Sequence, residues 1–362
     1  MIKLQKFIDK YIFSIPCLIF RSFGKLNKSK IKKILVIKNW ALGDSVVLLP
    51  ALHAIKKQFP KAELHVLAHP KNKVIFEGQK FVDKIIDFGA LNILKSFRKY
   101  DVCIDAEPFL NVSAFISFLS SGYRIGFSHG IKSNLYNETI LFNKKQHMVQ
   151  NYLDFARKLG SDYDTNELIP LVIGNRDKKI VSNYLKKEKV TSKDFVVGIS
   201  SGVAESVKYR AWSSENFAKL ADELIEKKMK VVFLDSKDNK PVIDKIKQKM
   251  RNTAIDASGL FSVKQASELI SRCNVFVSND SGLMHISAAM GIKTIGLFGP
   301  NTPVLWAPYG KGNVSLFKPK KGCPYLDNTN PELIPKCLTK EQLTCMDAIT
   351  VSDVLHAIEK LK

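Results

Sequence analysis

Short apolar runs rich in β-branched residues recur along the chain, each followed by a longer stretch in which apolar positions return every three or four residues. Lys33-Ile34-Leu35-Val36-Ile37 is the first such run, apolar on both faces as a buried parallel strand requires. A helical pattern follows from about Val46 to Phe59 and stops before Pro60. Strands are then predicted at Glu63–Leu67, Lys84–Phe88, Val102–Ile104 and Arg124–Phe127, and a helix at His147–Leu159. The alternation pauses near residue 170 and resumes at Phe195–Ile199. It continues through a helix Ser214–Lys228, a strand Lys230–Leu234, helices Pro241–Met250 and Ser262–Cys273, strands Asn274–Val277 and Thr294–Phe298, and a last helix Val351–Leu361. Alternating strands and helices predict an α/β chain of two consecutive doubly wound, Rossmann-like domains joined near Ile169–Asp177, with strand ends facing across a cleft. The expected boundaries are a basic apolar segment at 1–30, a first domain at 31–172, a second at 173–345, and a helix at 346–362 left free to cross back onto the first.

The stretch Val277-Ser278-Asn279-Asp280-Ser281-Gly282-Leu283-Met284-His285 leads through an apolar helix to Gly291 and then to the strand Thr294–Phe298, which stops at Gly299-Pro300. Asp280 or Ser281 suits a helix N-cap, Gly282 lets backbone approach a ligand, and Gly291 sits where a C′ glycine ends a helix. Such a strand–turn–helix–strand unit aims free N–H groups and the positive end of a helix dipole at one point, which suits a phosphate. His285 lies one turn after Ser281 on the same helical face and can look into the space above the turn. The plainer alternative is an ordinary βαβ unit with a well-capped helix and a packed histidine. Asp44 falls at the carboxyl end of the first strand and at a helix start, where function collects in open α/β sheets; its plainer role is a cap.

Charge narrows the partners. The 362 residues carry 56 Lys+Arg against 34 Asp+Glu, a formal net charge of +22, which favours anionic partners. Nucleic acid is set aside, because the lysines are scattered and no helix-turn-helix, zinc-finger or RNP-like pattern accompanies them. There is no Gly-x-Gly-x-x-Gly turn for a dinucleotide and no P-loop. Six cysteines without a CxxC pair or a cleavable signal fit a reducing cytoplasm, and Cys323, Cys337 and Cys345 match no usual zinc spacing, so structural thiols are expected. Residues 1–33 hold nine cations and one acid, Asp9, around Tyr11–Phe20, a ten-residue apolar run too short to span a bilayer. That segment either lies on an anionic membrane surface or packs on the protein itself.

Asn39-Trp40-Ala41-Leu42-Gly43-Asp44 before Leu49-Pro50-Ala51-Leu52, together with Asn279-Asp280-Ser281-Gly282-Leu283-Met284-His285 and Leu297-Phe298-Gly299-Pro300-Asn301-Thr302, resembles the heptosyltransferases of glycosyltransferase family 9. The likeness runs from about Lys32 to about Leu361. It implies the two-domain GT-B fold and an inverting transfer of heptose, or a related sugar, from an ADP-sugar to an acidic lipopolysaccharide core acceptor. It further implies a cytoplasmic enzyme peripheral on the inner face of the inner membrane, with no metal and no cofactor beyond the donor substrate. By the same resemblance Asp44 is the general base, and backbone N–H groups at Ser281, Gly282 and Leu283 meet the departing diphosphate. Arg210 supplies a cation where the family has lysine, two residues before Trp212, with Lys208 near enough to share the task. Ser200 and Ser201 would donate hydroxyls, from a loop that looks longer than is usual in the family. Asp238 stands where the family has a glutamate for the ribose, and Asp280 either binds donor-sugar hydroxyls or caps the helix. Competing readings are a GT-B-like sugar-nucleotide epimerase and a non-catalytic, membrane-associated sugar-nucleotide-binding protein.

Overall fold

The computed structural model describes residues 2–22, 24–319 and 345–362, in two compact units, Met1–Thr165 and Asn166–Lys362. Each unit is built on a six-stranded, wholly parallel sheet.

In the first unit the strands are β1 (Lys33–Lys38), β2 (Glu63–Ala68), β3 (Lys84–Asp87), β4 (Val102–Asp105), β5 (Arg124–Phe127) and β6 (Glu138–Ile140), in the order β3-β2-β1-β4-β5-β6. The second repeats that plan with β7 (Val196–Ser200), β8 (Lys230–Phe233), β9 (Ile255–Asp256), β10 (Val275–Asn279), β11 (Lys293–Phe298) and β12 (Val314–Phe317), in the order β12-β11-β10-β7-β8-β9. Strand order therefore reverses between β1 and β4 in one unit and between β7 and β10 in the other. At such a reversal the connections leave to opposite sides and open a crevice beyond the strand carboxyl ends.

β1 is buried over Ile34 to Lys38 and all of β7 is buried, as expected of central strands covered on both faces. Trp212, Phe217, Leu220, Phe233, Val277, Leu297 and Ile358 join one core in the second unit. The final helix, Val351–Leu361, belongs to that core through Val354, Ala357 and Ile358 and packs on the helix Ser214–Glu226 and on β11. The apolar stripe of this helix finds its partner in the core of the second unit. Of the six cysteines, Cys17, Cys103 and Cys273 are buried free thiols, Cys345 is buried, and Cys323 and Cys337 lie outside the described residues.

The helix after β1 spans Leu42–Gln58, one turn earlier than its apolar pattern indicates. Asp44 is therefore inside the first turn instead of capping it, and Pro50 lies within the helix. The turn is entered through Ala41 at φ +61°, a left-handed conformation that favours glycine. Two helices at the start of the chain, Ile2–Tyr11 and Ser14–Ile19, pack on the helix Asn111–Ser120. Asp9 accepts hydrogen bonds from the N–H groups of Asn111 and Val112, and Cys17 is buried with Ala114, Leu135 and Tyr136. These contacts anchor one side of the segment on the first unit and leave Ile15, Leu18 and Ile19 exposed. Among the described residues no helix is long and apolar enough to cross a membrane.

Gly126 in β5 lies under the Tyr136 ring, where an added Cβ would come within 2.3 Å of ring carbons. The Tyr136 hydroxyl in turn donates to the buried Asp105 at 2.5 Å. Gly126→Ala is expected to lower unfolding free energy by about 1–3 kcal/mol, since a well-packed core resists an extra methyl; an unchanged urea midpoint would contradict this.

Candidate active site

Both sequence-predicted clusters fall at the strand-order reversals. In the first unit, β1 ends at Lys38, whose ammonium is fully buried between two carboxylates: Glu107 Oε2 at 3.2 Å and Asp44 Oδ2 at 3.3 Å. Glu107 follows β4 and its other oxygen accepts from the backbone N–H of Asn39 at 2.6 Å and Trp40 at 2.9 Å. One carboxylate therefore neutralises the lysine and fixes the turn that precedes Asp44. Burial alone would push the Lys38 ammonium down, but the charges of Glu107 and Asp44 outweigh it and hold the group well above the ordinary lysine value.

A second layer supports the first. Asp105 Oδ2 accepts from Ser113 Oγ at 2.7 Å and pairs with Lys132 Nζ at 3.2 Å, and its Oδ1 accepts from the Glu107 N–H at 3.0 Å. Lys132 also donates to the Glu107 carbonyl at 2.5 Å. The Asp105–Lys132 pair and the Glu107–Lys38–Asp44 group are joined through the Glu107 backbone, and only Asp44, with its side chain 24% exposed, reaches solvent to a useful extent. Asn39 adds a buried amide whose Oδ1 and Nδ2 find no hydrogen-bond partner among the described residues.

In the second unit, Asn279 and Asp280 close β10. The Asn279 side chain accepts from the Trp212 N–H at 3.1 Å and donates to the Ser201 carbonyl at 2.7 Å, which holds two loops in place. Asp280 Oδ2 accepts from Arg210 at 2.9 Å and from Asn301 at 2.5 Å. The helix Gly282–Ala289 begins immediately afterwards with Ser281 at its N-cap position, yet no side-chain capping bond is made: the Ser281 hydroxyl turns to Ser278 at 3.0 Å. Capping by either Asp280 or Ser281 is thus corrected, because Arg210 and Asn301 draw the carboxylate away and Ser278 draws the hydroxyl. The first N–H groups of the helix, with the positive end of its dipole, are left without side-chain caps. Gly291, at φ +76°, ends the helix in a Schellman arrangement, with the Ile292 N–H on the Ser287 carbonyl at 3.1 Å and the Gly291 N–H on the Ala288 carbonyl at 3.1 Å.

The remaining candidates divide. Ser200 donates to Asp235 at 3.3 Å, whereas the buried Ser201 hydroxyl and the Arg210 Nε–H have no partner among the described residues. Lys208 is highly exposed and pairs with Glu205 at 2.5 Å, so the cation beside Asp280 is Arg210. Asp238 is exposed in the short turn Lys237–Asn239, and the buried carboxylate at this strand end is Asp235. Asp235 accepts from the Gly202 N–H at 2.7 Å and from Asn239 at 2.8 Å; burial, only partly offset by these bonds, raises its pKa. Gly202 is required there, since a Cβ would meet Asn239 at 2.0 Å. His285 is buried and edge-on to Trp306 at 6.2 Å, with neither His285 Nδ1 nor Trp306 Nε1 partnered among the described residues. Burial, outweighing the nearby Asp280 charge, lowers His285 to about 4. Among the described residues no group of three or more His, Cys, Asp or Glu is placed to hold a metal ion.

The model of glycosyltransferase family 9 (heptosyltransferase) matches residues 92–333, about two thirds of the chain. The chain belongs to glycosyltransferase family 9. It is accordingly a glycosyltransferase, and the epimerase and scaffold readings give way. It is 28% identical over 309 residues to lipooligosaccharide heptosyltransferase 2 of Haemophilus ducreyi, covering 78% of this chain and 88% of that protein. To lipopolysaccharide heptosyltransferase 2 of Escherichia coli K12 it is 26% identical over 301 residues, covering 76% and 85%. Among solved structures, the family 9 glycosyl transferase from Veillonella parvula superposes with a TM-score of 0.76 at 21% identity, covering 91% of this chain and 97% of that one. The E. coli ADP-heptose lps heptosyltransferase II gives 0.71 at 22% identity, covering 91% and 98%. These likenesses place the family 9 chain in the GT-B fold.

Lys38, Glu107, Asn279 and Asn301 escaped the sequence reading as site residues. Their partners lie 6 to 78 positions away; Lys38 adjoins the Asn39–Asp44 motif and Asn279 and Asn301 stand inside the quoted motifs, whereas Glu107 carried no local signal. Glu107→Ala should cost about 3–5 kcal/mol of stability, as for other broken buried pairs. Glu107→Gln, which keeps an acceptor for the Asn39 and Trp40 N–H groups, should cost less; equal losses in urea unfolding would refute the bridging role.

The depressed His285 pKa gives a signed pH dependence. Unfolded histidine titrates near 6.5 and the folded one near 4, so the folded state resists protonation. Its contribution is present above pH 6.5 and is lost as pH falls from 6.5 through 4, by up to about 3 kcal/mol. Wild type should lose stability faster than His285→Gln between pH 6.5 and 5, and parallel curves would show that His285 is not the cause.

Proposed function

We propose that this family 9 enzyme moves a heptose, or a closely related sugar, from an ADP-sugar onto an acidic, lipid-linked lipopolysaccharide core acceptor in one inverting, metal-independent displacement. The observation that carries the reading is Asp44 itself. It is a part-exposed carboxylate at the crevice end of β1, held in place from behind by the buried Lys38–Glu107 pair. The names borne by the Haemophilus ducreyi and E. coli relatives support the sugar and the acceptor class.

In this mechanism Asp44 accepts the proton of the acceptor hydroxyl as that oxygen attacks the anomeric carbon. The bond from that carbon to the diphosphate breaks, the configuration inverts, and ADP leaves with the electron pair. Negative charge growing on the leaving group is met by the N–H groups of Ser281, Gly282 and Leu283 and by Arg210. Those donors are preorganised in the family 9 chain: the helix start has no side-chain cap, and the guanidinium is already fixed by Asp280. Arginine in place of lysine adds a flat, bidentate donor for phosphate oxygens. Ser201, buried with an unpartnered hydroxyl, remains the better of the two serine candidates, because Ser200 is engaged by Asp235. A cytoplasmic location at the inner face of the inner membrane, where such an acceptor is built, accords with the net charge of +22.

Asp44→Asn should leave ADP affinity nearly intact while turnover falls at least about a hundredfold. Unchanged turnover would remove Asp44 as the base. Calorimetric titration with ADP, UDP and GDP, with and without EDTA, tests the donor: adenine preference insensitive to EDTA is expected, and preference for UDP or GDP would overturn the assignment.

A further inference from the structure

The helix Asn111–Ser120 is flanked by two elements that both expose large apolar side chains. On the N-terminal pair these are Ile15, Leu18 and Ile19, which follow helical spacing on the face opposite the buried Cys17. On the helix Ala90–Lys95 and the turn after it they are Leu91, Leu94 and Phe97. All six are between 51% and 74% exposed, an unusual concentration for a surface that faces only water.

The two elements meet on one ring. Phe20 stacks on Phe118 at 5.1 Å, and the Arg98 guanidinium lies over the same ring at 5.7 Å. Arg98 adopts φ +49°, and its N–H bonds to the Leu119 carbonyl at 2.9 Å, tying the second element to the central helix.

Charge around these apolar groups is mostly of one sign. Residues 10–30 and 88–100 contain no acid. Asp9 is turned inward onto the start of the Asn111–Ser120 helix, and the two acids that flank the second stretch are engaged, Asp87 by Lys73 and Asp101 by the N–H groups of Lys32 and Lys33. Lys10, Arg21, Lys25, Lys95, Arg98 and Lys99 are all exposed. Apolar side chains in a predominantly cationic surround match the boundary of an anionic bilayer, where acyl chains take the apolar groups and headgroups take the cations. A nucleic acid would not provide the apolar half of that match.

We propose that the N-terminal helix pair and the segment Ala90–Lys99 form one face that docks on an anionic lipid surface, inserting Ile15, Leu18, Ile19, Leu91, Leu94 and Phe97 at headgroup depth. The proposal deepens the lipid-linked acceptor reading and rests on it for its purpose; binding to vesicles is measured without donor or acceptor, so the two fail separately.

The test is sedimentation of the full chain with phosphatidylglycerol-containing vesicles and with pure phosphatidylcholine vesicles. Binding to the anionic vesicles, weakened by salt, is expected. Leu18→Asp with Ile19→Asp, and separately Leu91→Asp with Leu94→Asp, should each reduce it at least about tenfold. Lys95→Glu with Lys99→Glu should reduce anionic-vesicle binding while leaving the weak phosphatidylcholine binding unchanged. Thermal unfolding and ADP titration of each variant check that it is folded. Equal binding by folded apolar variants would overturn the proposal. So would a wild type that ignores vesicles but forms a dimer, dissociated by the same substitutions in sedimentation velocity; the face would then join copies of the chain.

Discussion

The first unit's chemistry depends on one buried ion pair. Lys38 and Glu107 come from the two strands between which sheet order reverses, and an unpaired charge at either position would be expensive to bury. Once paired, they do more than cancel. Glu107 takes the N–H groups of Asn39 and Trp40, which sets the path of the turn, and Lys38 takes a carboxylate oxygen of Asp44, which sets its rotamer. The left-handed Ala41 is tolerated because the turn is held on both sides of the strand-order reversal. Asp105, Lys132 and Tyr136 extend the same support inward, so the orientation of a surface carboxylate is determined by groups deep in the sheet.

The second unit solves a comparable problem with amides. Asn279 uses both ends of its side chain to join the Ser201 loop to the Trp212 segment, and Asn301 shares Asp280 with Arg210. With the polar side chains of the turn occupied in these ways, none is left to cap the helix that follows. An uncapped N-terminus is therefore a product of where its neighbours' hydrogen bonds go, and it is what gives the helix dipole something to offer a ligand.

Much of the architecture was legible because buried parallel strands read as continuous β-branched runs: β1, β5, β7 and β11 were located to within a residue or so at each end. Arg124–Phe127 and the helix Val351–Leu361 match the sequence reading throughout. Elements with weak periodicity were missed. The helix Asn175–Lys187 has one buried residue, Val181, and the helix Asn111–Ser120 carries serines that bond to carbonyls within their own helix and blur its apolar face. At the site, the stretches that form compact motifs were visible, whereas Glu107, outside any motif, was not, and the role of Asn301 within its motif was not, since both depend on partners brought near by the sheet. Asp238 was named from its sequence position alone, which does not tell that it lies in an exposed turn while Asp235, three residues earlier, is the buried carboxylate.

The Arg210–Asp280 contact has a consequence for selectivity. A guanidinium already neutralised by a largely buried carboxylate is a poor trap for stray anions, because inorganic phosphate would have to compete with Asp280 for it. A ligand that also engages several backbone N–H groups can outbid that internal rival. On the proposed reading, a diphosphate that also meets the backbone N–H groups would displace Asp280 from Arg210, whereas inorganic phosphate alone would not.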